Sequence, residues 1–232
     1  MAALLDFLAD PAEAIRHAWR SVAGSGHESV ADDLVERYAE PQRRYHTALH
    51  IAWVLRHVDE LLAADPIVAA AIDRDAVIAA ALFHDAIYDT ASSNNEADSA
   101  ALAAHALVAV GWKDRRVAEV NSLILATADH AATTAAEAIL LDADLAVLGA
   151  ESRSYWAYVE AVRAEYAVVP DTQWRVGRAA VLRGLLDRNH LYSTPTMRIG
   201  REQQARANIG VELGELAPDA PPDDLPEYAR NQ

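Results

Sequence analysis

Apolar residues recur at intervals of three and four along almost the whole chain, and this spacing constrains the fold more than any other feature. The interruptions fall at proline, glycine, aspartate and serine, which are typical of helix ends. The alternation of apolar and polar residues that marks half-buried strands is absent. The sequence therefore predicts an all-α protein.

Ten helices are predicted from this pattern. They lie near residues 12–22, 28–39, 45–64, 74–88, 95–110, 114–129, 142–149, 152–167, 172–189 and 197–214. No repeat and no Gly/Ser linker marks a second domain. We expect an N-terminal helical extension over 1–27, one helical domain over 28–216, and a proline- and acid-rich C-terminal arm over 217–232.

The charge of the chain restricts its partners. A formal net charge of -15 repels nucleic acid and anionic membranes, so long polynucleotides are not expected as substrates. No apolar run reaches the roughly 18 residues that cross a membrane. Residues 1–10 lack the basic start and cleavage site of a secretory signal, so a cytoplasmic location is expected. Because the chain has no cysteine, any metal must be held by nitrogen and oxygen ligands.

The strongest local signal is the pair His84-Asp85 at the end of a long apolar helix that begins near Asp75. An imidazole and a carboxylate are costly to bury unless something compensates them. A metal ion does so, and a simple hydrogen-bonded pair at a helix end is the alternative.

Two further segments carry residues of the same types. His46 and His50 are four residues apart, which predicts one face of a helix, as a shared site or as a solvated stripe. Asp142 and Asp144 lie within an apolar stretch. One of these two acids can be the N-cap of a short helix, for which Asp142 is the candidate, and the other is then available as a ligand.

In this order the residues His50, His84-Asp85 and a late aspartate resemble the H…HD…D pattern of the HD superfamily of metal-dependent phosphohydrolases. The strings RYHTALHI, ALFHDAIYD, NNEADSA, DADLAVLG, VRAEY and GRAAVL are similar to a largely uncharacterised bacterial subfamily of predicted HD phosphohydrolases, over residues 28–214. The resemblance implies a helical bundle with one or two divalent metals (Mn, Fe, Co, Ni, Zn or Mg) in a central cleft. It implies His50, His84, Asp85 and Asp144 as ligands, with Asp142 as the alternative to Asp144.

The remaining roles are assigned from position in the sequence. For proton transfer the candidates are Asp89, Glu96 and His130. For binding of substrate phosphate the candidates are Arg44, His46 and Arg163.

The expected activity is hydrolysis of a small phosphate ester or nucleotide by metal-activated water. The alternatives are a metal-bearing protein that binds a nucleotide without turnover and, with less support, a di-iron oxygenase of the same fold. A homodimer is the commonest oligomer for such enzymes.

Overall fold

The computed structural model describes residues 10–216, and these residues form helices, turns and loops without any strand. The α-helices are α1 (Pro11–Ala23), α2 (Glu28–Tyr38), α3 (Ala48–Ala64), α4 (Pro66–Ala71), α5 (Arg74–Phe83), α6 (Asn95–Ala109), α7 (Asp114–Leu125), α8 (Ala135–Asp144), α9 (Ser152–Glu165), α10 (Asp171–Leu186) and α11 (Pro195–Glu215). Two 3-10 turns occur at Ala126–Ala128 and Leu145–Gly149. The prediction of an all-α protein is confirmed. Within this range no helix combines the length and the apolar character that a membrane span requires.

The predicted C-terminal arm over 217–232 and the first nine residues of the predicted N-terminal extension lie outside the described residues. Helix α1, the rest of that extension, packs on α2, α3 and α5.

Several helices begin where the sequence offers a side-chain cap. The carboxylates of Asp10, Asp65 and Asp73 each accept a hydrogen bond from a backbone N–H in the first turn of α1, α4 and α5. The hydroxyl of Thr194 does the same for α11. Proline at the start of α1, α4 and α11 supports the same boundaries, because its missing N–H is not needed there.

One predicted helix is placed wrongly. The sequence predicts a helix over 142–149, whereas α8 runs from Ala135 to Asp144. It begins at a capping box, in which Glu137 accepts bonds from Thr133 and Thr134 while its own N–H donates to the Thr134 hydroxyl. Asp142 is therefore no N-cap, since it lies in the last turn of α8.

Three other predicted boundaries differ from the structure. Helix α4 was not predicted, α3 begins at Ala48 rather than 45, and α5 ends at Phe83 rather than 88.

The chain divides into two compact units. The described part of the first comprises residues 10–89 and 94–144, and that of the second 90–93 and 145–216. The boundary after Asp144 falls inside the range 28–216 that the sequence predicts as one domain.

Helix α5 is the centre of the first unit. All its residues from Ala76 to Phe83 are buried, and it contacts α1, α3, α6, α7 and α8. Alanine fills half of these positions, so the surrounding helices approach closely.

In the second unit, α11 packs against the turn Leu145–Gly149. The side-chain amide of Asn208 donates to the carbonyl oxygens of Leu148 (2.8 Å) and Ala150 (2.9 Å). Gly149 allows this approach, because an added Cβ would lie 2.6 Å from Cβ of Arg201.

Candidate metal centre

Four side chains of the first unit converge on one point. One ligand atom each of His50, His84 and Asp85 lies within 4.8 Å of the others. The Nε2 atoms of His50 and His84 are 3.4 Å apart. Asp85 Oδ2 is 3.4 Å from His50 Nε2 and 3.1 Å from His84 Nε2. Asp144 Oδ1 joins them, 3.1 Å from His50 Nε2 and 3.6 Å from His84 Nε2. We call these four residues the HD cluster. Three of them form a group that could hold a metal ion, and Asp144 adds an oxygen as a fourth ligand atom.

The HD cluster is assembled from helix ends. His50 lies in the first turn of α3, His84 is the C-cap of α5 with Asp85 directly after it, and Asp144 is the last residue of α8. The two imidazoles are almost fully buried, whereas the Asp85 and Asp144 side chains retain 20% and 14% exposure. The carboxylates therefore form the side of the cluster that faces solvent.

The orientation of His84 suits a ligand. Its Nδ1 lies 3.0 Å from the carbonyl oxygen of Ala81, which can only accept, so Nδ1 carries the proton and the Nε2 lone pair points into the cluster. His50 also turns Nε2 inwards, and its Nδ1 is buried without a hydrogen-bond partner. Two imidazole nitrogens and two carboxylate oxygens are a donor set that fits a divalent cation.

The charges of the HD cluster depend on one another. Burial opposes ionisation, but Asp144 and Asp85 raise the pKa of His50, and the same two carboxylates raise the pKa of His84 well above its usual 6.5. Against burial, His84 and His46 hold the pKa of Asp85 well below its usual 3.8, and His130 and His50 do so for Asp144. Without a cation, the two carboxylates favour the protonated form of both imidazoles.

His130 is tied to the second oxygen of Asp144. Its Nε2 lies 2.9 Å from Asp144 Oδ2, while Oδ1 faces His50. Among residues 10–216, His130 is the one non-glycine residue with positive φ, at 51°. This left-handed conformation costs roughly 1–2 kcal/mol, so the surrounding fold imposes it.

Sequence reasoning missed the side chains that hold the turn containing His84 and Asp85. The Tyr38 hydroxyl donates to the carbonyl of Leu82 (2.8 Å). Arg43 NH1 donates to the carbonyls of Asp85 (2.8 Å) and His46 (3.1 Å). The bonds to Leu82 and Asp85 satisfy carbonyls that the end of α5 leaves without helical partners, and the bond to His46 ties the loop before α3 to the same turn.

The chain after this turn is held by α6. The Ser99 hydroxyl accepts from the Ile87 N–H (3.0 Å), and the Asn95 side chain exchanges two hydrogen bonds with the backbone of Asp89 (3.0 and 2.9 Å). Asn95 and Ser99 both belong to the string NNEADSA, whose signal could have been interpreted as an anchor for this loop.

The predicted proton-transfer residues separate in the structure. Burial and the nearby Asp85 carboxylate raise the pKa of Glu96, which is half-buried at the start of α6. Because Asp85 affects its pKa, Glu96 is coupled electrostatically to the HD cluster. Asp89, in contrast, is exposed.

The predicted phosphate-binding residues also separate. His46 precedes α3 instead of sharing a face of it with His50, so that prediction is wrong, but its ring stacks on Tyr88 (4.1 Å) and lies 5.7 Å from that of His50. Arg44 is exposed, and its guanidinium donates to the carbonyl of Arg43 (2.8 Å). In the second unit, Arg163 donates to the carbonyls of Tyr166 and Val169.

The two candidates for the last ligand differ in position. Asp144 is in the HD cluster, whereas Asp142, two residues earlier on α8, points about 200° away around the helix axis. Asp142 is almost fully buried, at 1% exposure. The geometry thus favours Asp144.

Two cavities of about 470 Å³ also lie in the first unit, and Asp73, Arg115 and Glu119 line both. No residue of the HD cluster lines either one.

Comparison of the chain with family models, with curated proteins and with solved structures gives no significant match. The relation to the HD superfamily therefore stays a prediction.

Proposed function

We propose that the chain is a divalent-metal-dependent phosphohydrolase of the HD type that acts on a small phosphate ester or nucleotide. The observation that supports this most is the HD cluster itself, because it combines the residues of the H…HD…D pattern at ligand-like separations. In this proposal the cluster lies in the cleft of an HD-type domain. His50, His84, Asp85 and Asp144 hold the metal.

A divalent ion held by these four residues would lower the pKa of a bound water molecule and polarise a phosphoryl oxygen. The chain supplies orientation and proton handling. His84 keeps its Nε2 lone pair on the site through the bond of Nδ1 to Ala81. His130 holds one oxygen of Asp144, so that the other remains directed at the site.

Among the proton-transfer candidates, Glu96 fits best. Its raised pKa and its coupling to Asp85 suit a carboxyl group that holds and releases a proton. His130 is better assigned to positioning, because its Nε2 is used by Asp144. His46 and Arg44 remain candidates for substrate contact, since both lie in the loop that leads to His50.

The test compares metal content and turnover in the wild type, His84→Ala, Asp144→Asn and Asp142→Asn. The last two variants make the same chemical change on the same helix. We expect metal and hydrolysis of a panel of phosphomonoesters, phosphodiesters and nucleotides to be lost in His84→Ala and Asp144→Asn and retained in Asp142→Asn.

Three results would contradict the proposal. Metal retained in both His84→Ala and Asp144→Asn would remove the ligand assignment. Metal bound by the wild type without turnover of any compound would instead favour a binding or regulatory protein. Iron near two per chain with oxygen consumption would indicate an oxygenase.

A further inference from the structure

The side chain of Arg43 is completely buried, which is unusual for a guanidinium. It lies in the loop between α2 and α3, beside the exposed Arg44. A buried cation is destabilising unless its donors are bonded and its charge is balanced. The contacts of Arg43 must therefore offset the cost of burying its charge.

These contacts join the two segments that lead to the HD cluster. NH1 bonds the carbonyl of His46, four residues before the ligand His50, and the carbonyl of the ligand Asp85 itself. NH2 bonds the carbonyl of Ala86 (3.1 Å). Three donors of one rigid fork thus fix the backbone on both sides of the site.

The remaining contacts of Arg43 hold its guanidinium in place. Nε donates to Glu40 Oε2 (3.0 Å), which balances the charge. The guanidinium carbon lies 5.2 Å from the ring centre of Tyr38 and 5.5 Å from that of Tyr88. Tyr88 also stacks on His46. Arg43 therefore has little freedom to move without displacing the backbone that it bonds.

We propose that Arg43 is the positioning residue of the metal centre, because its buried guanidinium holds the backbone of Asp85 in register with the loop that leads into His50. This inference rests on the metal centre of the proposed function. Arg43 contacts neither metal nor substrate in this role. It sets the separation of ligands that come from different helices, and metal affinity depends steeply on that separation.

Arg116 provides a matched control within the same unit. It too bonds oxygen atoms through a fork, to Asp73 and Asp75, and its guanidinium lies 3.6 Å from the ring centre of Trp112. Arg116 donates to side chains at the start of α5. Arg43 donates to backbone carbonyls that follow the end of α5. Loss of Arg116 should lower stability without displacing a ligand.

The experiment measures the dissociation constants for Mn²⁺ and Zn²⁺ by competition with a chromophoric chelator. It uses the full chain as wild type, Arg43→Lys, Arg43→Met and Arg116→Met, after metal removal by chelation. Unfolding is followed separately by circular dichroism. We expect both Arg43 variants to bind metal about 10- to 100-fold more weakly than the wild type while folded, with Arg43→Lys the less affected. Arg116→Met should bind like the wild type.

Absorption of Co²⁺-loaded protein reports ligand geometry, and it should change in both Arg43 variants but not in Arg116→Met. If Arg43→Met does not fold, Arg43→Lys still decides, since it keeps the charge and most of the stem. Wild-type affinity and an unchanged Co²⁺ spectrum in folded Arg43→Lys would overturn the positioning role and leave the proposed function intact. A wild-type chain that binds none of these metals would overturn both.

Discussion

Each unit contains a buried cluster of charged side chains, and the two clusters differ in how their charges are balanced. In the second unit, Arg178 donates to both oxygens of Glu212 (2.8 and 3.1 Å), and the Tyr155 hydroxyl donates to the same carboxylate. One cation, one anion and one phenol satisfy each other. The HD cluster of the first unit instead brings together two carboxylates and two imidazoles.

The two clusters differ in whether their negative charges need protons or a bound cation to balance them. The guanidinium of Arg178 is charged at every physiological pH, so its pairing with Glu212 is permanent. The imidazoles of the HD cluster balance Asp85 and Asp144 only while they are protonated. A divalent cation does so without protons. The first kind of cluster is suited to holding a fold together, and the second to binding an ion.

The largest effect on stability should come from Glu212→Ala, which leaves the Arg178 charge buried without its partner. We expect the free energy of unfolding to fall by about 3–5 kcal/mol. Urea denaturation measures this, with the exposed Glu160→Ala on α9 as a control near the wild type. A loss similar to that of the control would mean that the two clusters do not differ as described.

Metal should stabilise the wild type through the HD cluster. At a free metal concentration 100 times the dissociation constant, the expected gain is about 2.7 kcal/mol in the free energy of unfolding. Urea midpoints with and without Mn²⁺ test it. The gain should vanish in His84→Ala and persist in Glu212→Ala, and its persistence in His84→Ala would refute the difference between the clusters.

The pH dependence should separate the metal-free from the metal-loaded chain. Raised pKa values of His50 and His84 stabilise the fold fully below about 6.5, and this contribution is lost as pH rises through the folded-state values. Lowered pKa values of Asp85 and Asp144 stabilise it above about 3.8, and this is lost in acid.

Above about pH 6.5 the metal-free chain should therefore lose stability, while metal affinity rises because protons no longer compete. Urea midpoints recorded in chelator and in Mn²⁺ should diverge with increasing pH. The His84→Ala variant serves as the control, since most of this divergence should disappear in it. Parallel curves for the wild type would count against the cluster as a proton-or-metal site.

The smallest effect is expected at the capping box of α8, the helix that ends in the proposed ligand Asp144. Thr134→Ala should cost about 1 kcal/mol, because the N–H of Glu137 loses its acceptor at an exposed helix end. Thr134→Ser keeps the hydroxyl and should remain near the wild type. Metal affinity of the folded protein should not change in either variant; a weakened affinity would mean that α8 transmits local strain to the HD cluster.

The helices were predictable wherever the apolar spacing is regular. The ends of α1, α2, α6, α9 and α11 were predicted to within two residues, although only α1 and α11 among them begin with a side-chain cap. The start of α8 was missed. Its first turn is Ala-Ala-Glu-Ala and follows two threonines, residues that carry little periodic signal, so only the spacing of Thr134 and Glu137 marks the boundary.

The residues that meet in the candidate site were predictable from the sequence, and the side chains around them were less so. His84 and Asp85 follow an apolar helix, so burial of both groups could be inferred from neighbouring residues. The choice of Asp144 over Asp142 depended on resemblance, since both acids lie in the same apolar frame and only the extent of α8 separates their directions. Arg163 was assigned by residue type, and in the structure it donates to carbonyls of the segment that follows its helix, α9.

The sequence by itself determined the helical class and the residue types available for metal binding, because periodicity, caps and composition are local properties. The tertiary structure decided which of these residues meet. Arg43 and Arg44 are adjacent and identical in type, yet one is buried against α5 and the other is exposed. Burial of a side chain depends on contacts with distant segments, and no local pattern encodes them.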